Sequence, residues 1–258
     1  PQELIQKLNM AKSNIFTNII CGFIPTRRLR SRVRVRLNNP CIGRYLRWVR
    51  DWANKNCGGV STLKTSYGVG CQNLVVILNN AHVFKFPLHH NQDLAERELR
   101  MCDALRSVCP VNIPKMEIIK LHDIIIRRYD FVPGKLLCDF SADYIMSHRL
   151  HLAKQLADFM YKIGCADPKS IRDLKPTSSA KPGYMYGWFH DDIGQNFLMD
   201  DDMNIIAFID WEGCCFCDWR ASLRMAERFW NKNKYKGLMT DVLYEYSKIY
   251  IDNIVHKK

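Results

Sequence analysis

Apolar residues recur at two spacings along the chain, one typical of helices and the other of strands. In residues 41–53 they recur every three or four positions, at Ile42, Tyr45, Leu46 and Val49. Arginines occupy the other side of this stretch, so the pattern predicts an amphipathic helix. Residues 91–108 and 150–164 repeat the helical pattern, and we also predict helices in residues 1–20 and in the tail from Ala221 to Lys258.

The stretch between residues 67 and 87 has a strand pattern instead. Two apolar runs flank Asn79 and Asn80, and such a pair between two runs predicts a two-residue hairpin turn. Residues 117–132 predict a second hairpin, which Pro133 and Gly134 close. Strands dominate the first half and helices the second. This order predicts an α+β protein with a β-rich N-terminal lobe and a mainly helical C-terminal lobe.

A chain of 258 residues is long enough for two lobes that share a cleft. We divide it into an N-terminal helical and basic extension (1–60), an N-terminal lobe (61–132) and a C-terminal lobe (133–258). The cleft is expected near the join of the two lobes.

The net charge of +12 is concentrated in the first half of the chain. Residues 1–134 hold 21 Lys and Arg against 9 Asp and Glu, whereas residues 135–258 hold 17 of each. Six arginines fall between Arg27 and Arg36. Four of them alternate with other residues, at Arg30, Arg32, Arg34 and Arg36. Period-two alternation predicts a strand with four guanidinium groups on one face.

The arginine-rich segment has two interpretations that the sequence leaves open. One is a solvated edge strand, where charge discourages aggregation. The other is a docking surface for an anionic partner, which could be an acidic protein, a phospholipid head group or a nucleic acid. No aromatic residues interleave the run from Arg27 to Arg36, which weakens the interpretation as a single-stranded nucleic acid site.

Cysteine content and hydropathy bear on the compartment. The chain has 11 cysteines without the short length of a disulfide scaffold, which favours reduced thiols in a cytoplasmic protein. Cys214, Cys215 and Cys217 are close in sequence, but no second pair at zinc-finger spacing accompanies them, so we interpret them as buried thiols. No run of about 18 apolar residues occurs, so no transmembrane segment is predicted.

The candidate chemistry lies in residues 189–212, FHDDIGQNFLMDDDMNIIAFIDWE. Asp191 and Asn196 are five residues apart in a polar loop, and a predicted strand hairpin then leads to Asp210. Phosphoryl transfer from ATP needs a carboxylate that takes the proton of the acceptor hydroxyl. It also needs an amide and a second carboxylate that hold Mg²⁺, a cation that prefers oxygen ligands. The spacing from Asp191 to Asn196 is that of a kinase catalytic loop.

These motifs and their order resemble the aminoglycoside phosphotransferase and choline kinase branch of the protein-kinase-like superfamily. FHDDIGQN is similar to the catalytic loop of that branch, and IIAFIDWE to its metal-binding segment. RRYDFVPGKLL resembles the hinge, VFKFP the strand with the ATP-binding lysine, and AERELRMCDAL the helix with its acidic partner. The matches run from about residue 67 to residue 223, over half of the chain.

The resemblance implies roles for residues of the N-terminal lobe. Lys85 would contact the α- and β-phosphates of ATP and pair with Glu98, although an error of one helical residue would favour Glu96 instead. Gly68 and Gly70 would form a weak phosphate-binding loop, because a third glycine is missing. Adenine would pair with backbone groups near Asp130 and Val132.

In the C-terminal lobe, the resemblance implies that Asn196 and Asp210 bind Mg²⁺. The catalytic base is open to two alignments. The spacing to Asn196 favours Asp191, whereas alignment of His190 with the histidine of the family favours Asp192 and requires a one-residue deletion. We prefer Asp191, because metal coordination constrains that spacing more strongly.

The function predicted on this basis is transfer of the γ-phosphate of ATP, with Mg²⁺, to a hydroxyl of a small molecule. One alternative is an atypical protein kinase that acts on a protein substrate. Another is a nucleotide-binding pseudokinase, an interpretation that the altered loop FHDD keeps open. The fold and the catalytic loop do not fix the acceptor.

Overall fold

A computed structural model describes six stretches of the chain: residues 26–67, 72–88, 92–174, 186–189, 196–218 and 237–255. The chain divides into two compact units. The β-rich lobe runs to Gln92 and includes Glu117–Phe131, and the helical lobe consists of Asp93–Met116 and the chain from Val132 onward.

The elements follow one another in chain order. Those up to the fifth strand are α1 (Arg27–Asn38), α2 (Cys41–Asn56), β1 (Leu63–Ser66), β2 (Asn73–Leu78), β3 (His82–Pro87), α3 (Gln92–Leu105), β4 (Met116–Leu121) and β5 (Ile124–Asp130). Those that follow are β6 (Lys135–Leu136), α4 (Ala142–Ser147), α5 (Arg149–Cys165), β7 (Tyr186–Phe189), β8 (Phe197–Met199), β9 (Ile205–Phe208), β10 (Cys215–Asp218) and α6 (Leu238–Val255). Short 3₁₀ turns cover Leu137–Asp139, Lys169–Leu174 and Trp211–Gly213.

The β-rich lobe is a five-stranded sheet in the order β1-β2-β3-β5-β4, with α2 packed on one face. The buried side of α2 presents Ile42, Tyr45 and Val49, as its sequence pattern indicated, together with Ala53, whereas Leu46 is half-buried. Phe84 and Phe86 of β3 point to this helix, where Tyr45 stacks on Phe86 at a centroid distance of 4.7 Å. Since side chains alternate along a strand, Lys85 points to the opposite face.

The predicted Asn79-Asn80 hairpin is confirmed. Both residues have positive φ angles, 54° and 48°, as a turn with two left-handed residues requires. The Asn79 amide oxygen accepts hydrogen bonds from the backbone N–H groups of Ser61 (2.8 Å) and Thr62 (3.1 Å). The turn therefore fixes the β2–β3 register and also anchors the segment that leads into β1.

The prediction of an arginine strand is wrong, because residues 27–38 form helix α1. Thr26 caps the helix, with its side chain accepting a hydrogen bond from the Leu29 N–H at 3.4 Å. Arginine is a good helix former, so alternating arginines do not by themselves specify a strand. Three of the four apolar residues, Leu29, Val33 and Leu37, also recur every four positions, which is a helical spacing, whereas Val35 keeps the period of two.

The helical lobe is built around α5, which packs against α6 and against β7. The predicted helix at 150–164 is confirmed and begins at Arg149. Gly187 of β7 lies so close to Gly164 of α5 that a Cβ at position 187 would collide with the Gly164 backbone. Strands β6, β8 and β9 form a small sheet, and β7 pairs with β10.

No helix among the described residues is long and apolar enough to cross a membrane.

Candidate functional site

Lys85 lies in the middle of β3 with 2% of its surface exposed. Its Cα pairs with that of Arg127 on β5, which is 3% exposed. Residues directly opposite each other on antiparallel strands place their side chains on the same face. The sheet therefore holds two buried cations side by side, on the face opposite to α2.

Arg127 is a polar residue of this face that the sequence motifs did not identify. Its Nη2 donates a hydrogen bond of 2.5 Å to Oδ1 of Asn73, the first residue of β2. Asn73 is itself 9% exposed. A signal for this pair exists in the sequence, since IIIRRYD places two arginines inside an apolar run, where a buried cation is costly unless it is compensated.

The predicted hinge begins where β5 ends. Phe131 donates its backbone N–H to the Ala81 carbonyl (2.8 Å), which joins the end of β5 to the β2–β3 turn. The Asp130 carboxylate is exposed and accepts a hydrogen bond from Arg128 Nη2 at 3.0 Å. Val132 is half-buried. The role of Asp130 and Val132 in adenine binding concerns their backbone groups and stays a prediction.

Helix α3 distinguishes between the two candidate glutamates. Glu98 is 3% exposed, whereas Glu96 lies on the exposed side of the helix. Glu98 Oε1 accepts a hydrogen bond from the backbone N–H of Trp211 at 3.1 Å. Trp211 directly follows Asp210, so Glu98 ties α3 to the proposed metal-binding segment. The predicted pairing of Glu98 with Lys85 stays a prediction.

Arg97 provides a second tie from α3 to the same segment. Its Nη2 donates a hydrogen bond of 2.8 Å to the Cys214 carbonyl. Cys214 is buried, in agreement with its interpretation as a core thiol, while Cys215 and Cys217 of β10 are half-buried. Two neighbouring residues of one helix therefore hold both sides of the turn Trp211–Gly213.

Asn196 and Asp210 lie at one end of the β8–β9 hairpin. Phe197 pairs with Phe208, and the Ile209 N–H donates to the Asn196 carbonyl at 3.0 Å. Asp210 has a left-handed backbone (φ 66°, ψ 57°), which is costly for a residue with a side chain and recurs at functional sites. The hairpin thus brings an amide and a carboxylate to adjacent strand ends, as the sequence predicted.

Oxygen donors of this kind suit Mg²⁺, which binds a few protein oxygens and keeps the remaining positions for water and phosphate. The other proposed site residues, Gly68, Gly70, Asp191 and Asp192, lie outside the described residues.

Comparisons with known proteins agree on the fold. No protein-family model and no curated protein matches the sequence. Among solved structures, the GDP and kanamycin complex of APH(2")-IIIa has a TM-score of 0.61 at 17% identity, covering 82% of this chain and 86% of that one. The streptomycin–ATP–APH(2")-IIa ternary complex has a TM-score of 0.60 at 12% identity, covering 78% and 81%. Macrolide 2'-phosphotransferase MphH from Brachybacterium faecium has a TM-score of 0.55 at 15% identity, covering 78% and 82%.

At these identities the similarity is one of fold. The protein has an α+β fold similar to that of these phosphotransferases, and the predicted resemblance to the aminoglycoside phosphotransferase branch is confirmed at the level of the fold.

Proposed function

We propose that the protein is an ATP- and Mg²⁺-dependent phosphotransferase that transfers the γ-phosphate to a hydroxyl of a small molecule. The observation that carries this proposal is the end of the β8–β9 hairpin, where Asn196 and the left-handed Asp210 stand on adjacent strands. The solved structures of similar fold support it, because they contain GDP, ATP, kanamycin and streptomycin as bound molecules.

In the β-rich lobe, the proposed nucleotide-binding surface is the sheet face that carries Lys85. Two cations stand opposite each other on this face, and like charges in that position repel each other. Phosphate oxygens would be attracted by both cations. Val83, on the same side of β3, offers a buried apolar surface to adenine. Gly68 and Gly70 precede β2 in sequence and would approach the phosphates through their backbone N–H groups.

In the helical lobe, Asn196 and Asp210 would hold the metal through their side-chain oxygens. Bound Mg²⁺ supplies positive charge that stabilises the transferring phosphoryl group. The carboxylate of Asp191, or of Asp192 in the alternative alignment, would accept the proton of the acceptor hydroxyl. The hydroxyl oxygen then bonds to the γ-phosphorus while the bond to the β-phosphate oxygen breaks, and ADP leaves.

The acceptor is proposed as a small molecule because the solved structures of similar fold carry small molecules as their second ligand. Residues 135–258 have equal numbers of basic and acidic residues, which argues against a strongly cationic acceptor such as an aminoglycoside. A neutral or anionic hydroxyl compound suits this charge better.

The test is transfer of label from γ-labelled ATP with Mg²⁺, offered first to a small-molecule extract and then to a protein lysate. We expect labelled small molecules, and we expect chelation of Mg²⁺ to abolish the label. Lys85→Met should slow transfer by roughly 10²-fold, as the loss of a charged group that stabilises the transition state does. Lys64→Met on the exposed side of β1 is the matched control and should leave the rate unchanged.

Three outcomes would contradict the proposal. Label in proteins but not in small molecules would favour the atypical protein kinase. Nucleotide binding without any transfer would favour the pseudokinase. Equal rates for Lys85→Met and wild type would remove Lys85 from the site.

A further inference from the structure

The helical conformation of residues 27–38 arranges the arginines of α1 in two rows. With 100° per residue, Arg30 and Arg34 lie on one side of the helix, and Arg32 and Arg36 lie on the other. Between the rows, on one side of the helix, Leu29, Val33 and Leu37 follow one another at intervals of four residues. We call these three residues the apolar stripe.

The two ends of the apolar stripe face away from the core, and Val33 between them is half-buried. Leu29 is 51% exposed and Leu37 is 42% exposed, although both are large apolar residues. Val35, on another side of the helix, is the residue of α1 that is buried in the core of the β-rich lobe. Arg32 attaches the helix to the sheet, since its Nη2 donates to the Thr65 carbonyl at 3.1 Å and its guanidinium lies 5.9 Å from the Tyr67 ring centroid. The outward apolar residues are therefore held in place by inward contacts.

The charge of this region is extreme and one-sided. Residues 27–56 contain ten Lys and Arg and one acidic residue, Asp51, which gives +9 of the +12 of the whole chain. The first turn of α1 has no acidic residue, so cations occupy the end of the helix where the dipole favours anions. Arg30 and Arg34, and likewise Arg32 and Arg36, are like-charge neighbours at i and i+4, which destabilises a helix. An anionic surface would be attracted by this concentration of positive charge.

Helix α2 adds a second basic face. Arg44, Arg47 and Arg50 are spaced three residues apart and are exposed. Ile42 and Val49, on the other side of the helix, are fully buried. The exposed basic face of α2 is thus fixed by the packing of its apolar face on the sheet.

The geometry points to a docking site on α1 and α2 for a bilayer that contains anionic phospholipids. The apolar stripe would enter the boundary between head groups and acyl chains, and the exposed arginines of this surface, Arg36, Arg44 and Arg47 among them, would contact lipid phosphates. A helix that combines an apolar stripe with a basic flank on either side is typical of interfacial membrane helices. Nucleic acids and acidic proteins would engage the arginines but would leave the stripe exposed to water, so lipid accounts for both features.

The experiment is co-sedimentation of the full chain with vesicles of phosphatidylcholine alone and of phosphatidylcholine with 30% phosphatidylglycerol. We expect binding to the anionic vesicles and little to the neutral ones. Binding should weaken steeply between 0.1 and 0.5 M NaCl, because the screening length falls from about 10 Å to roughly 4 Å.

Two sets of substitutions distinguish the contribution of charge to vesicle binding from that of inserting the apolar stripe. Arg36→Gln, Arg44→Gln and Arg47→Gln together should weaken binding about 100-fold, since each basic residue at an acidic membrane contributes on the order of fivefold. The control with the same loss of charge is Lys115→Gln, Lys120→Gln and Lys154→Gln, at exposed positions elsewhere in the chain, and it should bind nearly as wild type does. Leu29→Gln with Leu37→Gln should weaken binding about tenfold at unchanged charge.

Each remaining outcome overturns the inference. If the lysine control set weakened vesicle binding as much as the arginine set, net charge alone would drive binding. A Leu29 and Leu37 variant that binds vesicles like wild type would indicate a purely electrostatic surface, and binding of double-stranded DNA or of an acidic peptide would then identify its partner. A marked fall in the melting temperature of that variant would mean that another part of this chain covers the stripe. Circular dichroism of all variants, measured in parallel, shows whether each one is folded.

Discussion

The β8–β9 hairpin has an acidic residue at each end, and the two are stabilised in opposite ways. At the turn, the carboxylate of Asp200 accepts hydrogen bonds from residues of its own loop. Its Oδ1 accepts from the backbone N–H groups of Asp202 (3.0 Å) and Asn204 (2.7 Å), and its Oδ2 accepts from the Asn204 side chain (2.9 Å). At the open end, the backbone beside Asp210 is held by groups from α3, through Glu98 and Arg97.

The difference separates a structural carboxylate from a candidate ligand. The bonds to Asp200 close a turn, and they lower the pKa of its carboxyl, chiefly through the hydrogen bond from the Asn204 side chain. Asp210 instead has a left-handed backbone that its surroundings must maintain. A metal-binding residue would require a strained backbone that neighbouring segments hold in place. It would also require a second oxygen ligand nearby, such as the amide at the adjacent strand end. The presence of a carboxylate in an acidic cluster, by contrast, does not by itself indicate a metal ligand.

The largest expected effect concerns the loop that leads into Asn196. Asp191→Asn should slow transfer by roughly 10²–10⁴-fold, the usual contribution of a general base. Asp192→Asn should impair the reaction less. The rate of phosphoryl transfer by both variants is measured in single turnovers at saturating ATP. The reverse ranking would show that the loop carries a deletion and that Asp192 is the base.

A slightly smaller effect is expected at the open end of the hairpin. Asp210→Asn should slow transfer by roughly 10²–10³-fold, because a ligand of the charge-stabilising metal is weakened. The same change at the turn, Asp200→Asn, is the matched control and should leave the rate near that of wild type. Turnover rates over a range of Mg²⁺ concentrations measure this difference. Equal rates for the two variants would remove the distinction between the two ends.

The sequence predicts those parts of the fold that depend on interactions between residues close together in the chain. The Asn79-Asn80 turn and the α2 helix follow from spacing within a few residues, and both predictions are confirmed. The α1 helix is not predicted because arginines that alternate with Val33 and Val35 also fit a strand, and the helix preference of arginine outweighs that alternation. Glu98 is preferred to Glu96 as the partner of Lys85 from the sequence; Glu98 is the buried one of the two, and the pairing itself stays a prediction.

Interactions between distant segments were beyond the reach of sequence patterns. The bond from Arg127 to Asn73 joins residues 54 positions apart, and that from Glu98 to the Trp211 backbone joins residues 113 positions apart. Each of them depends on strand register or on helix placement. The motif around Asp210 could therefore be recognised from the sequence, whereas the groups that hold it could not.

The hydrogen bond between Glu98 of α3 and the backbone of Trp211 can be tested by measuring the stability of variants. Glu98→Ala would leave the buried N–H of Trp211 without its acceptor, which should lower the free energy of unfolding by about 1–3 kcal/mol. Glu98→Gln keeps an acceptor oxygen and should cost less. Glu96→Ala, on the exposed side of α3, should change stability by no more than about 0.5 kcal/mol. Urea denaturation measures all three, and a Glu96 effect as large as that of Glu98 would contradict the assignment.

The smallest expected effect is at the turn, and it depends on pH. Hydrogen bonds from Asn204 and Asp202 lower the pKa of Asp200, so their stabilising contribution is present above the usual carboxyl pKa of about 4 and is lost as the pH falls through the lowered value. Asp200→Asn cannot accept from the Asn204 side chain in the same way, because one of its two oxygens becomes an amide. The melting temperature of wild type should therefore exceed that of the variant at pH 7, and this difference in melting temperature should narrow as the pH falls below about 4. Asp201→Asn is the matched control, since Asp201 is exposed and its surface ion pair with Lys135 contributes little. A gap that stays constant with pH would mean that Asp200 stabilises the turn by shape and not by its charge.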